Sequence, residues 1–147
     1  MAKIRLPPAP PATSSSVRAS MRGNKSSKTG PESMLAQQLR KAGVNGFCQN
    51  PSDLLGSPDF AFPASRLAVF VHGCFWHRCP YCQPHFPTSN AEYWTAKFAR
   101  NKARDACTRT SLRAQGWRLI VVWECQLKKN PRRVVSRIMK ALEKAVE

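Results

Sequence analysis

Acidic residues are scarce in this sequence, and long apolar runs are missing from it. Its 147 residues contain 8 Asp and Glu against 24 Lys and Arg, which leaves a net charge of +16 at pH 7. A chain this basic attracts polyanions and releases counterions when phosphates are neutralised, so nucleic acid is the expected partner. No apolar run approaches the roughly 20 residues that a membrane-spanning helix needs, and we therefore expect no association with a membrane.

The amino-terminal segment lacks acidic residues altogether. No Asp or Glu precedes Glu32, and residues 6–27 are rich in Pro, Ala and Ser. Such a composition cannot form a core, and its prolines would break the amphipathic helix of a mitochondrial transit peptide. We therefore predict a flexible basic arm at residues 1–28 and one globular domain at residues 29–147.

A secretory signal is missing too, so the six cysteines are expected in a reducing, cytoplasmic environment. In such an environment clustered thiolates indicate a metal site more often than a disulfide. Cys74, Cys79 and Cys82 are close enough in sequence to place three thiolates around one tetrahedral zinc ion. For the fourth ligand we favour Cys125, just past the last predicted strand, over His85, which is nearer in sequence.

The alternatives to a zinc site are independent buried thiols and a redox-active pair. The pair Cys79 and Cys82 lies in a proline-rich loop, whereas a thioredoxin-like pair begins a helix after a strand. Four thiolates leave no open position for water, so we expect the zinc to be structural. Cys107, in the middle of a predicted helix, is interpreted as a packing residue, and Cys48 would be a ligand only if the fold brought it near.

Apolar residues recur with helical spacing in three segments and form short buried runs in others. Consecutive strands joined by a short turn pair antiparallel, and a strand that returns after a long helix lies parallel. The pattern therefore predicts an α/β fold, a mixed sheet flanked by helices in the order α-β-β-β-α-β-α. The helices are predicted at about residues 31–42, at 90–115 and from Pro131, and the strands at 44–49, 59–62, 67–71 and within 118–124.

Two histidines and two acidic residues are placed to share a site at one edge of this sheet. Asp59 begins a predicted strand, where a buried carboxylate needs a cation or a hydrogen-bond donor. His72 ends the next strand and His77 follows it closely, while Asp105 lies on the inward stripe of the long helix and needs a partner such as a histidine. Plainer interpretations exist: Asp59 could cap a turn, a strand-end histidine is often a surface residue, and His77 could bind zinc.

Phe75 and Trp76 stand between the two histidines. Aromatic side chains at such positions often belong to the core. In a DNA-binding protein they can instead form a wedge that enters the base stack and kinks the duplex. The sequence leaves both interpretations open.

The segment His72-Gly73-Cys74-Phe75-Trp76-His77 resembles the signature of the very short patch repair (Vsr) endonucleases. Further segments resemble blocks of the same family in the same order, and the likeness covers roughly residues 18–124. These segments are Gly56-Ser57-Pro58-Asp59-Phe60, Glu92-Tyr93-Trp94, Asn101-Lys102-Ala103-Arg104-Asp105, Gly116-Trp117-Arg118 and Val122-Trp123-Glu124-Cys125.

The resemblance implies a restriction-endonuclease-like core with an inserted zinc-binding loop. It also implies magnesium-dependent nicking of one DNA strand, 5′ to the thymine of a T·G mismatch left by deamination of 5-methylcytosine, as the first step of very short patch repair. The implied partner is double-stranded DNA carrying that mismatch, with mismatch-repair helper proteins possible and no small-molecule cofactor. The expected protein is a monomer associated with the nucleoid in the bacterial cytoplasm.

The resemblance also assigns roles by position. Asp59 would hold magnesium together with the backbone carbonyl of Val71, and Glu32, which also fits a capping box with Thr29, would orient the attacking water. At position 79 a cysteine stands where some relatives have a histidine zinc ligand, and an all-cysteine site is chemically sound.

The resemblance assigns the remaining roles as follows. His72 and His77 match the family's active-site histidines, and Asp105 matches their acidic partner. Phe75 and Trp76 match its aromatic wedge, and Met21, with Arg18 and Arg22 beside it, resembles the arm that wraps the duplex.

Two other functions fit parts of this pattern. A non-catalytic zinc-dependent DNA-binding module would keep the charge and the wedge, with Asp59 and the histidines idle. A restriction-type endonuclease with the same core would instead cut intact recognition sites.

Overall fold

The structure is a computed structural model that describes Leu6, Pro7 and residues 30–144. The arm residues predicted to contact DNA, Arg18, Met21 and Arg22, lie outside the described residues, as does the predicted boundary between residues 28 and 29. No helix within the described ranges has the length and apolar character needed to cross a membrane.

The described chain follows the predicted order of helix, three strands, long helix, strand and helix, with two further short helices. A 3-10 turn at Pro63–Ser65 joins the second strand to the third. The helices are α1 (Gly30–Lys41), α2 (Cys74–His77), α3 (Ala91–Ala114), α4 (Glu124–Lys129) and α5 (Pro131–Lys144), and the strands are β1 (Cys48–Gln49), β2 (Phe60–Phe62), β3 (Leu67–His72) and β4 (Arg118–Trp123).

The four strands form one mixed sheet in the order β1-β2-β3-β4. β2 pairs antiparallel with both β1 and β3. β3 and β4 pair in parallel, from Leu67 opposite Arg118 to His72 opposite Trp123, and α3 provides the long crossover that parallel strands require. This confirms the predicted mixed sheet flanked by helices, the arrangement expected of a restriction-endonuclease-like core.

Helices cover both faces of the sheet. On one face, α1, α4 and α5 pack on the strands through a cluster that includes Leu35, Leu39 and Ile138. On the other face, Phe70 of β3 packs with Leu112 of α3. Successive residues of a strand point to opposite faces, so β3 is buried on both sides, as its continuous apolar run predicted.

β4 is an edge strand, and it is less buried than the short buried run predicted from its sequence. Its burial alternates: Ile120 and Val122 are buried, and the residues between and beside them are half-buried. An apolar run indicates a strand but carries no information about the strand's place in the sheet. The edge position leaves Val121 next to a cavity described below.

The remaining differences have local causes. β1 is shorter than predicted because the Val44 N–H donates to the carbonyl of Leu39 at 2.9 Å, which continues the end of α1 past Gly43. α2 was not predicted because its four residues are too few to show a helical period. α4 begins directly after β4, where the Trp123 N–H donates to the side chain of Gln126.

The loop that leads to Asp59 passes very close to α3 at Gly56. Gly56 has a φ of +81°, and a Cβ placed on it would lie 2.1 Å from Cγ2 of Thr108. A glycine is therefore required both for the left-handed backbone and for the close approach. This contact fixes the path of the chain just before β2.

We expect Gly56→Ala to destabilise the protein more than Gly46→Ala. Gly46 has a similar φ of +79°, but a Cβ added there would meet nothing within 4 Å, so its replacement should cost only the left-handed backbone, about 1 kcal/mol. Gly56→Ala adds an overpacking cost of about 1 to 3 kcal/mol. Urea unfolding measures both losses. Thr108→Ser removes the obstructing methyl group and should recover part of the extra loss, and equal losses in the two single variants would contradict the close approach.

Candidate active site

Asp59 lies beside the carboxyl end of β3. It directly precedes β2, and its N–H donates to the carbonyl of Val69 at 3.0 Å. The Val71 N–H in turn donates to Oδ2 of Asp59 at 2.6 Å. The carboxylate is therefore bonded to the neighbouring strand, so its partner is not the preceding turn.

Glu32 of α1 meets Asp59 in the protein interior. Glu32 is only 3% exposed, and its side chain hydrogen-bonds that of Asp59. Burial raises the pKa of Asp59 to about 7; the Val71 N–H opposes this shift and the negative charge of Glu32 adds to it. Two carboxyl groups in contact, one buried and one half-buried, are stable when they share a proton or when a cation joins them.

The two predicted histidines stack on each other at the same edge of the sheet. The ring centroids of His72 and His77 are 3.8 Å apart, and the rings are inclined by 6°. Nδ1 of His77 is 2.6 Å from Oδ2 of Asp105, so the structure places the acid of α3 against His77. An ionised carboxylate only accepts hydrogen bonds, so Nδ1 carries the proton of this bond and Nε2 is the remaining nitrogen of a neutral ring.

Burial and neighbouring charges shift the pKa values of His72 and Asp105. Burial lowers the pKa of His72 to about 4, and the positive charge of His77 adds to the shift, so His72 is neutral at pH 7. Partial burial acts to raise the pKa of Asp105, but the hydrogen bond and charge of His77 and the charges of His72 and Arg104 together outweigh it, and the pKa lies below its usual value. Asp105 is accordingly ionised at pH 7.

One cavity of about 1070 Å³ joins these groups, and we call it the active-site cavity. Asp59 and both histidines open into the same space, as a common site requires. Its walls are the sheet edge on one side and α3 on the other. The charged side chains lining it are Glu32, Asp59, His72, His77, Asp105, Lys97, Arg104, Arg109 and Glu124.

The last four of these residues were not predicted as site residues. Arg109 follows Asp105 by four residues on α3, so helical spacing places both on one face. Glu124 directly follows β4, at the same end of the sheet as the end of β3. The spacing of Arg109 and the position of Glu124 predict site residues only if Asp105 and His72 are already known to share one site.

Phe75 and Trp76 lie on α2 and pack against α3. Phe75 lies 5.3 Å from Trp94 and 5.4 Å from Phe98 between ring centroids, and Trp76 lies 5.9 Å from Trp94. Both residues of α2 remain half-buried, so they contact the interior and the solvent. Trp94, which was not among the predicted wedge residues, adds a third large ring to this aromatic surface. The buried side chain of Asn101 on α3 holds α2 in place, because its Nδ2 donates to the carbonyl of Trp76 at 3.0 Å.

Four cysteines form a second group, the cysteine cluster. The sulfur atoms of Cys74, Cys79, Cys82 and Cys125 lie within 4.8 Å of one another, and those of Cys79 and Cys125 are 3.7 Å apart. Cys125 lies in the first turn of α4, from which its N–H donates to the sulfur of Cys74 at 3.3 Å. Among the described residues, the competing candidate His85 lies outside this group, as do the exposed Cys48 and Cys107.

The donor set of the cysteine cluster fits a zinc ion. Four sulfur atoms about 2.3 Å from a tetrahedral zinc ion stand about 3.8 Å from one another. The observed distance between Cys79 and Cys125 is close to this value. Burial acts to raise the pKa of Cys79, but the N–H groups of Cys82 and Tyr81 outweigh it, and the pKa lies below its usual value. Such donors stabilise the thiolate, the form that binds metal.

Comparisons with known proteins agree with this geometry. A family model described as DNA mismatch endonuclease Vsr matches residues 12–83, a range that contains Asp59, His72 and His77. The chain is 42% identical to the type II nicking enzyme V.XorIIP of Xanthomonas oryzae pv. oryzae over 103 residues, which cover 70% of this chain and 75% of that protein. It is 33% identical to the type II nicking enzyme V.NmeAIP of Neisseria meningitidis, over 82% of this chain and 87% of that protein. It is 35% identical to the DNA mismatch endonuclease Vsr of Escherichia coli, over 74% of this chain and 69% of that protein.

Asn101→Ala should destabilise the protein by about 1 to 3 kcal/mol, because it leaves the carbonyl of Trp76 without its side-chain donor. Thr110→Ala is the matched control: it removes an exposed hydrogen bond to Ala106 on the same helix and should change stability by no more than about 0.5 kcal/mol. Chemical unfolding of both variants makes the comparison. Equal effects would mean that Asn101 does not hold α2 against α3.

Proposed function

The chain belongs to the Vsr family of DNA mismatch endonucleases, and we propose that it nicks one strand of duplex DNA 5′ to the thymine of a T·G mismatch, with magnesium as its catalytic ion. As a member of this family it is a DNA endonuclease. The observation that carries the finer proposal is the active-site cavity, in which the buried Glu32 and the half-buried Asp59 face a histidine pair that is supported by an aspartate.

Asp59 is the proposed protein ligand of magnesium, with the backbone carbonyl of Val71 as a second oxygen donor. The contact between Asp59 and Glu32 supports this assignment, because a cation next to two carboxyl groups in contact stabilises their ionised forms. Carboxylate and carbonyl oxygens are also the donors that magnesium prefers. When bound, magnesium neutralises charge on the phosphate and makes water a better nucleophile. Glu32 orients the attacking water through a hydrogen bond.

His77 is the proposed general base. Its contact with Asp105 fixes the tautomer in which Nε2 can accept a proton. His72 is a weak base, since burial lowers its pKa to about 4, and it positions His77 through ring stacking. As the water oxygen bonds to phosphorus, the proton of the water passes to His77, and the P–O3′ bond breaks with its electron pair on O3′, which takes a proton from the solvent.

The aromatic surface of Phe75, Trp76 and Trp94 is the proposed wedge that opens the duplex. A mismatched step is cheaper to unstack than a paired one, so a wedge at this position contributes selectivity for the mismatch. The high positive charge of the chain supports binding to the phosphate backbone. Arg18, Met21 and Arg22 remain predicted DNA contacts of the arm.

Asp59→Asn should lower the rate of nicking by about 1000-fold or more, because it weakens magnesium binding and so removes several kcal/mol of transition-state stabilisation. Asp53→Asn is the matched control, since Asp53 is exposed in the same loop and does not line the active-site cavity. The assay uses strand-labelled duplexes with T·G or C·G at a 5-methylcytosine context, in magnesium and in EDTA. Duplex binding by Asp59→Asn, measured in EDTA, should stay close to that of the unaltered protein.

Magnesium-dependent nicking of the T·G duplex alone, on the thymine strand, supports the proposal. Binding without cleavage would instead identify a non-catalytic DNA-binding module. Cleavage of both duplexes would identify a restriction-type endonuclease. Equal rates for the Asp59→Asn and Asp53→Asn variants would remove Asp59 from the mechanism.

Zinc is the proposed occupant of the cysteine cluster, where it joins the segment after β3 to the helix after β4. Cys82→Ser should therefore lose most of the bound zinc, while Cys107→Ser, which alters another exposed cysteine outside the cluster, should retain it. The expected loss of stability is a fraction of the roughly 10 kcal/mol that a structural zinc contributes. Atomic absorption measures the metal, and urea unfolding measures the stability. Full zinc content in both variants would reject the assignment of Cys82.

A further inference from the structure

We infer that Arg109 of α3 binds the scissile phosphate through its guanidinium group. This inference rests on the nicking reaction proposed above. Within the described residues, the sheet edge and the helices α1, α2 and α4 contribute only carboxyl groups and imidazoles to the charged lining of the active-site cavity. Its permanent cations, Lys97, Arg104 and Arg109, all come from α3. A phosphate that enters this cavity therefore finds its positive side chains on that helix.

The three cations are not equivalent. Nη2 of Arg104 donates to Oδ1 of Asn101 at 3.3 Å, so that guanidinium is already engaged within α3. Lys97 lies nearly two helical turns before Arg104, farther from the turn of α3 that meets the loop before Asp59. Arg109 has no hydrogen bond or ion pair with any described residue, yet its positive charge acts on His72. Its guanidinium is therefore within electrostatic reach of the strand end and has its donors available.

The packing of α3 places Arg109 near Asp59 by an independent route. Thr108, the residue before Arg109, makes the close approach to Gly56 in the loop that leads to Asp59. Arg109 also lies one helical turn after Asp105, which holds His77. The turn of α3 that carries Arg109 is thus bordered by the elements that position the general base and the proposed magnesium ligand.

The chemistry of arginine suits this position. Its planar group donates two parallel hydrogen bonds to two oxygens of one phosphate, which a lysine ammonium group cannot do. Negative charge on the nonbridging oxygens must be stabilised in the transition state, and a donor fixed beforehand at that place lowers the barrier. Arg109 stays protonated throughout and takes no part in bond making or proton transfer.

Arg109→Gln tests this assignment, with Arg113→Gln as the matched control. Arg113 is an exposed arginine on the same helix that does not line the active-site cavity, so both changes remove one positive charge. We expect Arg109→Gln to lower the single-turnover nicking rate at saturating T·G duplex by about 100-fold. We expect a change of about twofold or less for Arg113→Gln, a partial recovery for Arg109→Lys, and unchanged melting temperatures for all three variants, since both arginines are exposed.

A binding cycle shows which phosphate is contacted. Affinity is measured in EDTA for duplexes with a neutral methylphosphonate in place of the phosphate 5′ to the mismatched thymine, or in place of the phosphate two positions away. Arg109→Gln should weaken binding to the unmodified duplex and to the duplex modified at the distant phosphate. It should have little effect on the duplex modified at the scissile phosphate, because the partner charge has already been removed there.

Equal effects of Arg109→Gln and Arg113→Gln on rate and affinity would overturn the inference, and so would a loss of affinity that is the same for all three duplexes. The proposed function can fail separately. If the unaltered protein nicks no T·G duplex, the binding cycle still decides whether Arg109 contacts that phosphate. If nicking is normal but the cycle shows no coupling, only the role of Arg109 is rejected.

Discussion

The parallel pairing of β3 with β4 brings the histidine pair, Glu124 and the cysteine cluster to one end of the sheet. The register ends with His72 opposite Trp123, so the segments that follow the two strands leave the sheet at the same end. One continues as α2 and the other as α4, which places the sulfur of Cys74 within hydrogen-bonding distance of the Cys125 N–H. The antiparallel pairing of β2 then adds Asp59 to the same edge. A shift of one residue in the β3–β4 register would turn these side chains to the opposite face of the sheet.

Charge is divided between the two walls of the cavity. Carboxyl groups are concentrated near the sheet edge, where burial and mutual repulsion raise the pKa of Asp59 to about 7. Permanent cations are carried by α3. Such a division suits the proposed arrangement, in which a phosphate ester lies between a magnesium ion held by carboxylates and the donors of arginine side chains. The net positive charge of the whole chain draws the polyanion in and offsets the local acidity.

The short helix α2 combines several tasks in four residues, since it carries a cysteine of the cluster, two aromatic side chains and His77. A helix of this length is not stable by itself, because the unfavourable free energy of helix nucleation exceeds the stabilisation from so few hydrogen bonds. Its position depends on contacts from other elements: the cysteine cluster at one end, the aromatic packing on α3, and the hydrogen bond from Asn101 to the carbonyl of Trp76. The geometry of His77 is therefore tied to the cysteine cluster, which lies outside the lining of the active-site cavity.

Local sequence determined the element order and the strand-end positions of Asp59 and His72, because helices and strands have different apolar periods over a few residues. The sequence alone also predicted a metal site from the three closely spaced cysteines, and the family from the segments around the histidines. Tertiary structure alone decided that Cys125 and not His85 joins the cluster, although 46 residues separate Cys125 from Cys79. It also decided that β4 lies at the edge of the sheet and that Arg109, Glu124 and Trp94 belong to the site. These contacts depend on strand register and helix packing, which join residues far apart in the chain. They do not alter the apolar periodicity of the segments they connect, so the local sequence does not predict them.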